Sequence, residues 1–297
     1  MNYSILLALF FIVGCASDKK SSMTSPDKVT NESFKKEKTL KTSEVQDFYE
    51  GNAKALSPAL QNETIDRFNS DELTQFGESS DPLLQISILC KSGKYKDAFE
   101  RAATAFNRYQ KVALYWNIVG NCHLNQGSYR KALLFYNKAL ELKPNYVPAL
   151  NNIGVMYTRQ GIYQKAQVAF ERAYNQSKFA KTPRYNLGKL YLSYGLADLA
   201  LPIFHGLLST SPNDVDLLNA MASCHFLRSD YKSALSFYEQ IPNNLWKNPE
   251  YGLNIALTFK KANRPDDAKK TFLDLDSPSG NEMKRYYTSV GKMLGDI

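Results

Sequence analysis

Between Ser79 and Glu282 apolar residues recur three and four positions apart in short runs, most of them closed by Gly or Pro. That spacing places the apolar side chains on one stripe of a helix. The runs come in pairs, and the pairs repeat every 34 residues. A shift of 34 superposes Gly120, Gly154, Gly188 and Ala222 in the first run of each pair. In the second run it superposes Ala132, Ala166, Ala200, Ala234 and Ala268, followed four residues later by Tyr136, Phe170, Phe204, Tyr238 and Phe272. The small residues let two helices approach closely. Gly127, Gly161 and Gly195 fall between the runs, where a positive φ is easiest for glycine, and Pro144 and Pro212 mark helix ends. One pair cannot bury its own stripe, so neighbours must stack into a solenoid.

The register Trp116, Val119, Gly120, Gly127, Tyr129, Ala132, Tyr136, Ala139, Pro144 resembles the tetratricopeptide repeat (TPR) pattern of W-x-x-L-G, then Y, G-x-Y, A, F, A and P. The units headed by Trp116 and Leu150 match best, and no insertion interrupts the series. The resemblance implies an all-α fold: a right-handed TPR superhelix of about six helix pairs over residues 79–282. Met283, Tyr286, Tyr287, Val290 and Leu294 share one face of a further helix, 283–297, with Lys284, Arg285 and Lys292 outside it. Such a helix would cap the array.

The chain opens differently. Ile5 to Val13 form an apolar run that stops at Gly14-Cys15. It is too short to cross a bilayer, which takes about 20 residues, and suits a signal-peptide core. Ile12-Val13-Gly14-Cys15 resembles the bacterial lipobox, in which a lipid joins the cysteine and the chain is cut before it. Residues 1–14 therefore read as a lipoprotein signal peptide and Cys15 as the lipidation site. Ala16, in place of a retaining aspartate, implies an outer-membrane destination facing the periplasm. Residues 15–42 are rich in Ser, Thr, Lys and Asp and cannot fold by burial, so they read as a disordered tether. Over 43–78, apolar residues such as Val45, Phe48, Leu56, Ile65, Phe68 and Leu73 suggest an N-terminal helical segment over the first repeat.

The net charge of +8 is unevenly spread. From Cys15 to Glu78 there are 9 Lys+Arg against 12 Asp+Glu, and from Ser79 to Ile297 there are 28 against 17. A basic body attracts anionic partners. Its basic residues are scattered rather than striped, and an exported protein seldom meets nucleic acid, so no nucleic-acid partner is expected. Cys90, Cys122 and Cys224 are odd in number and lack a close C-x-x-C partner, so neither a disulfide framework nor a zinc knuckle is expected.

Nothing points to an enzyme, a cofactor or a metal. There is no G-x-S-x-G, H-E-x-x-H, Walker-type or Rossmann motif. His123 and His225 share a repeat position, each after a cysteine, and read as packing residues; Cys122 and Cys224 stand where a small buried residue is needed. Asp214/Asp216 and Asp266/Asp267 fall at helix starts, where carboxylates complement the dipole.

The resemblance to TPR proteins implies that first helices line a concave groove. Their inward positions hold Asn117, Asn121 and Asn125, then Asn151, Asn152 and Arg159, then Tyr185, Asn186 and Lys189, then Asn219. A ladder of amides offers donors and acceptors to the backbone of an extended peptide, and Arg159 and Lys189 add charge for an acidic segment. Chaperone-binding TPR clamps carry lysines where this chain has Asn117, Asn151 and Tyr185, so a chaperone tail is not the expected partner. A lipid anchor joined to about six TPR units resembles the pilotins, which help the secretins of type IV pilus machines assemble. An adaptor recruiting peptidoglycan hydrolases or synthases is the alternative.

Overall fold

The computed structural model describes residues 81–177 and 180–295. The signal peptide, Cys15, the tether and the 43–78 segment expected from the sequence lie outside the described residues. Among those residues there are thirteen α-helices and no strand. The fold is an all-α repeat solenoid, and it divides into two compact bodies between Ala180 and Lys181.

The first body holds α1 (Pro82–Lys91), α2 (Tyr95–Tyr109), α3 (Ala113–Asn125), α4 (Tyr129–Leu142), α5 (Val147–Arg159) and α6 (Tyr163–Gln176). The second holds α7 (Lys181–Ser193), α8 (Ala197–Leu208), α9 (Val215–Leu227), α10 (Tyr231–Tyr238), a 3-10 turn (Asn243–Lys247), α11 (Pro249–Lys261), α12 (Pro265–Leu273) and α13 (Asn281–Leu294). First helices start at Ala113, Val147, Lys181, Val215 and Pro249, and second helices start at Tyr95, Tyr129, Tyr163, Ala197, Tyr231 and Pro265. Both series advance by 34 residues.

The same turn closes every first helix. In the second unit the amide of Ser128 bonds the carbonyl of His123 (2.8 Å) and that of Gly127 bonds Leu124 (3.0 Å), the paired bonds of a Schellman motif. The turn needs a left-handed residue. Gly93, Gly127, Gly161 and Gly195 supply it, and Ser229 and Asn263 take the same conformation in the last two pairs (φ 62° and 60°).

Within a pair, the small residue of the first helix meets the aromatic ring of the second. A Cβ built on Gly120 would lie 2.6 Å from the Tyr136 ring, and one on Gly188 would lie 2.7 Å from Phe204. Alanine at Gly120 or Gly188 would press on these rings as they stand, whereas the last two pairs hold Ala222 and Ala256 at this position. The repeat alanines Ala98, Ala132, Ala166, Ala200, Ala234 and Ala268 are all buried beside these contacts. Carboxylate and amide caps start several helices: Asp81 accepts from the amide of Leu83, Asp214 from Asp216 and Leu217, and Asn248 from Glu250. In the second body, α13 lays Met283, Tyr286 and Val290 into the core against α11 and α12, while Lys284, Arg285 and Lys292 stay exposed.

Candidate binding surface

The first helices α3 and α5 of neighbouring pairs touch, and this contact decides the fate of the asparagine ladder. Asn117, Asn121, Asn151 and Asn152 are all buried. Asn152 Nδ2 donates to both Asn117 Oδ1 (3.1 Å) and Asn121 Oδ1 (3.0 Å), and Asn151 Nδ2 donates to Asn152 Oδ1 (3.3 Å). The hydroxyl of Tyr136, from α4, also donates to Asn121 Oδ1 (2.6 Å). The expectation of four open amides is corrected here: they bond one another across the repeat boundary. The reason is geometric, since residues about 34 apart on adjacent first helices lie side by side. What stays partly open on this face is Asn125 and Arg159. The Arg159 guanidinium lies close enough to the Tyr136 hydroxyl to oppose the upward shift that burial imposes on it.

The second body repeats the device. Asn254 Nδ2 reaches Asn219 Oδ1 at 3.5 Å, and the Tyr286 hydroxyl donates to Asn254 Oδ1 at 2.7 Å. Asn219 is half-buried by this contact. Tyr185 and Asn186 on α7 are half-buried and Lys189 is exposed. Tyr185 packs edge-on against Phe204 with ring centroids 5.7 Å apart, and the Lys189 ammonium sits 5.7 Å above the Tyr185 ring. A cleft of about 290 Å³ opens where α11 and α13 begin, lined by Asn248, Glu250, Ser277 and Asn281 among others.

The cysteine reading is also corrected. Cys90 on α1 and Cys122 on α3 form a disulfide, with Cα atoms 4.9 Å apart. They are 32 residues apart in the chain but neighbours on adjacent first helices. A count of cysteines could not show this, because the contact depends on how adjacent first helices pack. Cys224 is a free buried thiol that burial pushes up to about 12. Beside the disulfide, His123 lies between the rings of Phe99 (centroids 4.5 Å) and Phe135 (5.1 Å), and Phe135 stacks on Trp116 (5.8 Å). His225 in the second body stacks on Phe237 (5.3 Å) and bonds the Asp230 carboxylate at 3.1 Å. Among the described residues no three His, Cys, Asp or Glu side chains cluster as metal ligands would.

The tetratricopeptide repeat family matches over residues 113–146, and a second tetratricopeptide repeat match covers 135–168. Among solved structures the chain is similar to YrrB, described as a TPR protein with an unusual peptide-binding site (19% identity, TM-score 0.51, 65% of this chain and 96% of that one). It is similar to a tetratricopeptide repeat protein from Parabacteroides merdae (18% identity, TM-score 0.52, 84% and 98%). It is also similar to pilF of Pseudomonas aeruginosa (18% identity, TM-score 0.59, 77% and 98%). At these identities the likeness is one of fold. No curated protein matches the chain by sequence. The chain carries TPR repeats, the fold of protein-interaction scaffolds.

Proposed function

We propose that this chain is a lipid-anchored scaffold of the bacterial outer membrane, exposed to the periplasm, that binds a protein segment and serves as an assembly factor for an envelope complex. Its role is then pilotin-like, in secretin and type IV pilus assembly. The observation that carries the export part of this reading is the Cys90–Cys122 disulfide. Disulfides persist in oxidising compartments and are rare in the cytosol, which agrees with a lipobox ending at Cys15. The peptide-binding site described for YrrB, whose fold this chain shares, supports a peptide partner.

Partner contact falls to the side chains that stay at least partly exposed: Asn125 and Arg159 on the first body, and Tyr185, Asn186 and Lys189 on the second. The second reading, an adaptor for peptidoglycan hydrolases or synthases, is favoured by one observation. Residues 81–180 carry 14 Lys+Arg against 5 Asp+Glu, which suits an acidic wall, while 181–297 carry 14 against 12.

Metabolic labelling with a radioactive fatty acid should mark the wild type and not Cys15→Ala. Capture from detergent-solubilised membranes should bring down a secretin with the wild type and less of it with Arg159→Glu or Lys189→Glu. A wall hydrolase or synthase in its place establishes the adaptor reading. Capture unchanged by either substitution removes binding from the first helices.

A further inference from the structure

Two exposed apolar residues of the first body stand among cations. Leu134 on α4 is 64% exposed and Val168 on α6 is 65% exposed. They are 34 residues apart, so they occupy the same position on the second helices of adjacent pairs. Each is flanked three residues before and four after by cations: Lys131 and Lys138 around Leu134, Lys165 and Arg172 around Val168. Residues at those offsets share one helix face. Lys131, Lys138 and Lys165 are exposed, Arg172 is half-buried and donates to the Pro144 carbonyl, and Arg130 extends the same face. Two carboxylates share it: Glu141 pairs with Lys138 at 2.7 Å, and Glu171 accepts from the Gln167 amide at 2.8 Å, so five cations stand against two acids. The equivalent positions on α2 are Asp97, Glu100 and Thr104, and on α8 they are Leu199, Pro202 and Gly206, so the pattern is confined to α4 and α6.

A single exposed leucine is unremarkable. An apolar side chain set between lysines and repeated on the next helix pair fits one kind of surface. Lysine is depleted at the centres of protein–protein interfaces, which favour aromatic residues and arginine. A bilayer asks for the opposite arrangement, with apolar tips entering the boundary of headgroups and acyl chains and lysines reaching the phosphates around them. We propose that the exposed face of α4 and α6 rests on an anionic phospholipid surface, with Leu134 and Val168 inserted and Lys131, Lys138, Lys165 and Arg172 against the headgroups. The proposal goes beyond the anchor reading and does not depend on it, because a lipid at Cys15 would hold the chain to any bilayer, whereas this face selects anionic ones.

The test is site-resolved lysine acetylation of the purified full chain, read by mass spectrometry. The chain is mixed with phosphatidylcholine vesicles, or with vesicles in which about one lipid in three is phosphatidylglycerol. Each lysine near an anionic surface contributes enough binding energy for roughly a fivefold change. With anionic vesicles in excess, labelling of Lys131, Lys138 and Lys165 should therefore fall severalfold, and on neutral ones it should not. Exposed Lys232 and Lys269 of the second body serve as the reference and should label alike on both. Leu134→Ser/Val168→Ser should abolish the protection while leaving the melting temperature unchanged, since both side chains are exposed. Equal labelling on the two vesicles overturns the proposal, as does protection spread evenly over Lys232 and Lys269. So does equal protection by soluble polyglutamate that ignores the serine substitutions, which would make this a site for acidic polypeptide. Retention on neutral vesicles reports the Cys15 anchor alone, so the two readings fail separately.

Discussion

At the scale of the residue, His123 shows how a shared repeat position acquires a private chemistry. The residue is 8% exposed, its ring between Phe99 and Phe135, and its Nδ1 is buried with no hydrogen-bond partner among the described residues. Burial first, and then the Lys131 ammonium, push its pKa below the ordinary 6.5, against a smaller opposing hydrogen bond with Gln126. The folded chain thus holds a neutral ring, while the unfolded chain takes up a proton near 6.5. Stability is present above that value and declines as the pH falls through it. The melting temperature of the first body, followed through Trp116 in the same stack, should fall between about pH 7 and pH 5. His123→Phe should flatten that dependence. His225, at the same position of its own pair, instead faces the Asp230 carboxylate, which hydrogen bonds from the Ser233 hydroxyl and amide hold below its usual range.

At the scale of the element, the joints between neighbouring pairs are held by amides as well as by apolar packing. Asn152→Ala removes two inter-repeat hydrogen bonds and leaves a buried Asn117 oxygen unpaired, so urea denaturation should show a loss of about 2 kcal/mol or more. Asn219→Ala breaks a longer, half-buried bond and should cost less than about 1 kcal/mol. The helix pairs themselves were legible in the chain, because turn, small residue and ring must recur together wherever two helices pack so closely. The asparagines were legible as members of one face but not as buried. Their exposure depends on how near the next first helix comes, and that distance is not written in any single repeat. The Cys90–Cys122 bond was hidden for the same reason: it joins two repeats, and local spacing describes only one. Arg159 stays half-buried and Lys189 exposed, on the same faces as the buried amides.

At the scale of the molecule, the two bodies share a period and differ in charge and in covalent ties. The disulfide closes a loop of about 33 residues, for which chain-entropy arguments give a stabilisation of roughly 3–4 kcal/mol. Reduction, or Cys90→Ser/Cys122→Ser, should lower the first body's stability by that order and change the second body less, since the bond lies wholly within the first. Calorimetry with and without reductant measures both. The pair of α1 and α2 is the first of the described residues, and the disulfide ties it to the pair that follows. The bond joins that pair to its neighbour only where an oxidant is at hand. If the proposed export holds, the bond would act as a timestamp: a chain whose first described pair is tied to the next would be one that has already met an oxidant.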